Sequence, residues 1–117
     1  MSSPFRQGQI VWVTVPDPRG GNAKSRPAVI LTPTAAIDPA GEIQLAAITT
    51  LTGQAPFFET VELPATATGH PHTKLRKPCE VVCSWVVSVS AADARDSGGF
   101  VPADLLAEVL AKVQRLT

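Results

Sequence analysis

Arg26 stands where a basic, glycine-bearing loop runs into an apolar strand, in the stretch Arg19-Gly20-Gly21-Asn22-Ala23-Lys24-Ser25-Arg26-Pro27-Ala28-Val29-Ile30. A guanidinium at such a junction is positioned by a rigid element yet open to solvent, which suits fork-like gripping of a phosphate. The chain carries ten basic and ten acidic residues and no net charge, so any attraction for a polyanion has to be local. The charges are segregated accordingly. Between Pro18 and Ile37 the only ionised side chains are Arg19, Lys24 and Arg26, and between Leu63 and Cys79 only Lys74, Arg76 and Lys77. These acid-free segments read as phosphate-binding surfaces or as solvated loops, and a phosphodiester is the first ligand to consider.

Groups able to move a proton are few. His70 and His72 lie in the second basic segment, where an imidazole could serve as acid or base near neutrality or could simply build a turn. Asp17, in Pro16-Asp17-Pro18-Arg19-Gly20-Gly21, is a further candidate and equally a turn former; the glycines could let the backbone approach a ligand. Cys79 and Cys83 could join the histidines around zinc in principle. On one extended strand, however, they would stand roughly 13 Å apart, too far for one ion or a disulfide without a sharp bend. Free thiols and no metal are expected. Trp12 and Trp85 could stack on unpaired bases or pack in a core or dimer interface.

These groups need elements to hold them. The 117 residues are enough for one domain, residues 1–117, with a core that needs no disulfide or metal. Met1 to Gln9 lacks the apolar run of a signal peptide and no later run is long enough to cross a bilayer, so a cytoplasmic, membrane-free protein is expected. Ile10 to Val15, Pro27 to Thr32, Ile43 to Thr49, Phe57 to Leu63 and Val81 to Val89 read as strands separated by Pro and Gly clusters. The last could bend or bulge near Cys83 to Trp85 and serve as two. From Pro102 onward Leu105, Leu106, Val109, Leu110, Val113 and Leu116 recur at helical spacing, with Pro102 suited to the first position and Lys112 and Arg115 to the last turn. The expected fold is mainly β: a small barrel of five to six short antiparallel strands closed by a C-terminal helix. Pro64 to Pro78, with three prolines and a glycine, is expected to be a long surface loop.

Three ordered pieces of the chain resemble a known family. Gly8-Gln9-Ile10-Val11-Trp12-Val13, then Arg26-Pro27-Ala28-Val29-Ile30-Leu31-Thr32-Pro33, then Ala46-Ala47-Ile48-Thr49-Thr50 look like successive signatures of the MazF/PemK toxins of type II toxin-antitoxin systems. The resemblance implies an SH3-like barrel, usually a homodimer, that cleaves single-stranded RNA without metal or other cofactor unless a cognate antitoxin fills its groove. It implies attack by the RNA's own 2′-hydroxyl, giving a 2′,3′-cyclic phosphate and a 5′-hydroxyl. Arg26 and Thr49 match the family's catalytic arginine and threonine. Arg19, Gly20, Gly21, Lys24, Thr50, Lys74, Arg76 and Lys77 would then contact RNA.

Two departures accompany the match. Gly21 stands where many members carry an acid five positions before the arginine, and Val82 and Ser84 flank Cys83 where some members place an Arg and an Asp. The alternatives are a catalytically silent barrel that binds RNA or antitoxin, and a gyrase-directed toxin of the same fold.

Overall fold

The computed structural model describes residues 5–15, 23–50 and 60–116. β1 (Gln9–Val15), β2 (Lys24–Ile30), β3 (Glu42–Thr50), β4 (Thr60–Leu63), β5 (Cys79–Ser90) and β6 (Arg95–Phe100) precede one helix, α1 (Ala103–Leu116). The strands form a single antiparallel sheet in the order β4-β5-β3-β2-β1-β6, curled into a half-barrel. This is the mainly β, helix-capped architecture the sequence implies.

Alternation along the strands splits the apolar residues between two faces. Val11, Val13 and Val15 of β1, Ala28 and Ile30 of β2, and Ile43, Leu45 and Ala47 of β3 join Trp85 on one face. Phe5, Ile37, Ala91 and Ala94 close over that face from the connecting segments. The intervening residues Ile10, Val29, Leu31, Ala46, Ile48, Val81 and Cys83 form the second face, which α1 covers with Val109, Leu105, Leu106, Leu110 and Val113. Leu116 is exposed, so the helical stripe ends one turn before the helix does. Pro102 precedes the helix and accepts its first hydrogen bond, from Leu106 N at 2.8 Å.

Strand β5 remains a single element but changes phase within it. Its ladder to β3 runs from Ser90 to Val86, breaks, and resumes at Val81 opposite Ile48. Four residues, Val82 to Trp85, therefore oppose Ala47 alone, and the odd number of extra residues moves the alternation across the sheet. Cys83 faces α1 while Trp85 faces the first core. The bulge falls where the sequence places it, without dividing the strand.

β6 is the element that the sequence pattern does not signal. Its residues, Arg95-Asp96-Ser97-Gly98-Gly99-Phe100, bury only Gly99, and pairing with β1 shifts register between Ile10 and Val11. The Pro64 to Pro78 loop lies against this strand. Phe100 N donates to His72 O at 2.7 Å, and a Cβ on Gly99 would run into the carbonyl oxygen of Thr73. Only glycine allows that approach. Within the loop, Thr73 Oγ1 donates to Pro64 O at 2.7 Å, and Leu75 O accepts from Thr66 and His70 N–H, so the segment is internally tied.

Candidate functional site

Arg26 lies within β2, not before it. On one side it is paired with Val13 of β1. On the other side the ladder to β3 stops at Ala28 and Ala47, one pleat short of Arg26 and Thr49. Continued by that pleat, the register sets Arg26 opposite Thr49, both on the face of Ala28, Ala47 and Trp85. The ladder thus stops just before two polar side chains that share a face.

These strand ends border a cleft of about 520 Å³ lined by Arg26, Thr49, Thr50, Lys74, Arg76 and Lys77, with Trp12 and Cys79 also on its wall. Pro27, Ile48 and Thr50 project to the opposite face from Arg26 and Thr49, so the cleft wraps around the strand ends. Among the described residues four cations and no carboxylate line it. The loop contributes three of those cations from outside the sheet, and the contacts at Gly99 and Phe100 fix where it lies. Lys74 adopts a left-handed backbone with φ of 62°, a conformation costing a side chain on the order of 1 kcal/mol.

Trp85 holds the guanidinium. The Arg26 Cζ lies 5.1 Å from the centre of the Trp85 ring, a cation–π distance, and Trp85 is only 8% exposed. Among the described residues neither Arg26 Nε nor Trp85 Nε1 has a hydrogen-bond partner. No carboxylate among them is ion-paired with Arg26. A flat cation stacked on a buried ring is held in orientation while its remaining N–H groups stay available for an anion, a role lysine could not fill. Of the two tryptophans, Trp85 is core; Trp12, 45% exposed, is the one that a base could reach.

The other sequence candidates fall elsewhere. Lys24 is exposed on β2 and does not line the cleft. Neither do His70 and His72, whose rings lie 5.8 Å apart. His70 Nδ1 accepts the backbone N–H groups of His72 and Thr73 at 3.1 and 3.3 Å, which makes this imidazole a builder of its own turn. Asp17, Arg19, Gly20 and Gly21 lie outside the described residues. Cys79 and Cys83 are free and sit on β5, with Cys83 buried. Burial pushes the Cys79 thiol above its ordinary pKa, and the charge of Lys77 offsets only part of that rise. Among the described residues no three His, Cys, Asp or Glu side chains gather as metal ligands, and no helix is long and apolar enough to cross a membrane.

Glu80 escapes the sequence reading because it sits one residue before the apolar run. It is 4% exposed, pairs with Thr49 across the β3–β5 ladder and with Glu62 across β4–β5, and shares their face. A carboxylate at the second position of a strand with no other charged residue is the signal that could have marked it. A second cleft, of about 690 Å³, shares Trp12 and Ser25 with the first and is lined by Thr14, Asp93, Arg95 and Asp96. There the Gly98 N–H, at 2.7 Å, and the Gln9 side chain hold the Asp96 carboxyl below its usual range.

No curated protein matches the chain by sequence. Among solved structures, the fold is similar to MazF from Deinococcus radiodurans, with 28% identity, a TM-score of 0.72, and coverage of 96% of this chain and 94% of that one. MazE-MazF from the same organism gives 27% identity and a TM-score of 0.67, covering 97% of each chain. An endoribonuclease from a mycobacterial species shares the fold at 13% identity, with a TM-score of 0.69 over 99% of this chain and 93% of that one. Residues 6–117 match the family described as PemK-like, MazF-like toxin of type II toxin-antitoxin system. The chain belongs to the PemK/MazF toxin family of type II toxin-antitoxin systems.

Proposed function

We propose that this single toxin domain, residues 1–117, is an endoribonuclease that cuts single-stranded RNA by attack of the 2′-hydroxyl on the neighbouring phosphorus. The products would be a 2′,3′-cyclic phosphate and a 5′-hydroxyl. The observation that carries the reading is that Arg26 and Thr49, just beyond the last β2–β3 pair, line one cleft with Lys74, Arg76 and Lys77 and, among the described residues, with no carboxylate. As the 2′-oxygen attacks, charge builds on the non-bridging phosphate oxygens. A preoriented guanidinium at that point stabilises the transition state more than the ground state. Thr49 would hold one phosphate oxygen through its hydroxyl, and the loop cations would hold flanking phosphates. The reaction requires no metal.

The same cleft is the natural place for an antitoxin. MazF from Deinococcus radiodurans is found with MazE, and a chain with acidic and apolar side chains could displace RNA from a basic cleft. A homodimer is part of the same reading.

The test uses wild type and Arg26→Ala with a long single-stranded RNA in EDTA, followed by mapping of new ends. Fragments with 5′-hydroxyl ends from the wild type, and cleavage slowed about 10²–10³-fold in the variant, are expected for loss of one charge-stabilising donor. Intact RNA with folded, antitoxin-free wild type would favour a binding-only barrel.

A further inference from the structure

Among the described residues the cleft is lined by four cations, hydroxyls and the Cys79 thiol but by no carboxylate or imidazole that could take the 2′-proton. Behind Thr49, one strand away from the cleft, stands Glu80. The two are direct partners in the antiparallel ladder, and Glu80 alternates with Val82 on the face of the first core, as Thr49 does with Ala47. Residues so paired have Cβ atoms about 4.5–5.5 Å apart, so a change of side-chain rotamer, and no movement of the backbone, would join the Glu80 carboxylate to the Thr49 hydroxyl, which are not hydrogen-bonded to each other in this structure. Arg26, Thr49 and Glu80 therefore form a row across β2, β3 and β5.

Resting on the proposed ribonuclease reading, we infer that Glu80 is the proton acceptor of this site, acting through the hydroxyl of Thr49. As the 2′-oxygen bonds to phosphorus, its proton passes to Thr49 Oγ1 and the threonine's own proton passes to the Glu80 carboxylate. The bond from phosphorus to the 5′-oxygen breaks, and that oxygen takes a proton from water. The hydroxide so formed takes the proton back from Glu80. Glu80 is then a positioning and proton-storing residue that never touches RNA.

The groups around it are few. Glu62 faces it from β4, Arg26 lies two strands away, and Lys77 and Cys79 precede it on its own chain. α1 packs on the opposite face, where Lys112 is held by Glu108 and the Thr60 carbonyl.

The test compares Glu80→Gln, Thr49→Val and the double variant for cleavage rate against pH. Binding is read with an RNA whose 2′-hydroxyls are replaced by hydrogen. Glu80→Gln should bind this RNA as wild type does, cleave about 10²–10³-fold more slowly, and lose the rise of rate with pH on the acid side. In the Thr49→Val background it should cost nothing further, because the two act as one unit. Cleavage within threefold of wild type, a retained acid-side rise, or losses that multiply in the double variant would overturn the inference. Should Glu80→Gln not fold, Glu80→Asp keeps the carboxylate one methylene short. A slower rate with the acid-side rise kept supports the relay, and a full rate overturns it. Wild type that binds RNA but never cleaves it would remove the ribonuclease reading itself, a failure distinct from that of Glu80.

Discussion

Two clefts meet at Trp12, and the larger one is the poorer candidate. The cleft beside β6 has about 690 Å³ against about 520 Å³ at the β2–β3 ends, yet its charges are Asp93, Arg95 and Asp96 while those of the smaller are Arg26, Lys74, Arg76 and Lys77. Two carboxylates against one guanidinium repel phosphate; four cations attract it, at a site where partial burial weakens solvent screening. Volume decides what fits and charge decides what stays. On a chain of zero net charge, such local contrast is what electrostatic guidance of RNA has to come from.

The contrast can be broken by experiment. Arg26→Ala, with the cleavage loss given above, is the largest expected effect and should leave folding intact, since its side chain packs on Trp85 without an ion pair among the described residues. Next come Arg76→Ala and Lys77→Ala. Each should weaken binding of single-stranded RNA at every sequence and reduce the slope of log affinity against log salt by about 0.7, the value for one lost phosphate contact on a single strand. In the opposite cleft, Arg95→Ala should change affinity by less than about twofold, with an unaltered salt slope. If it matched Arg76→Ala, RNA would run through both clefts and the comparison would fail.

The smallest effect sharpens the picture chemically. Because burial raises the Cys79 thiol pKa, less thiolate is present at any given pH, and alkylation by iodoacetamide should be slow at neutrality and accelerate only at more alkaline pH than for a free cysteine. Lys77→Ala removes the charge that opposes this rise and should slow alkylation further. RNA in the cleft should slow it as well.

What could be read beforehand follows physical lines. β1, β3 and α1 announce themselves because each buries residues at its own period, two or 3.6. β6 does not, since an edge strand with one buried glycine has no apolar pattern to display; its place comes from pairing with β1, a tertiary fact. Arg26 and Thr49 were legible through the ordered motifs that resemble the family. Their place on one cleft, however, depends on the β2–β3 register, whose ladder stops at Ala28 and Ala47. Lys24 shows the limit of counting charges: two residues from Arg26 on the same strand, it stays outside the cleft. Nor does sequence spacing reveal that His70 spends its acceptor nitrogen on its own loop, or that a glutamate next to an apolar run faces Thr49.

The pairing of β1 with β6 also has a consequence in time. Gln9 is matched with Phe100, so β1 waits on the ribosome for β6 before the described sheet is complete. The β2–β3 hairpin that brings Arg26 and Thr49 together is local and can form early, whereas closure across nearly the full sequence is a slow, high-contact-order event. At about 5–20 residues per second of synthesis, several seconds separate emergence of the two strands. A nascent toxin therefore presents its polar strand ends before it has the β6 platform that holds the basic loop in place. Assembly of the full cleft is deferred until β6 has been made.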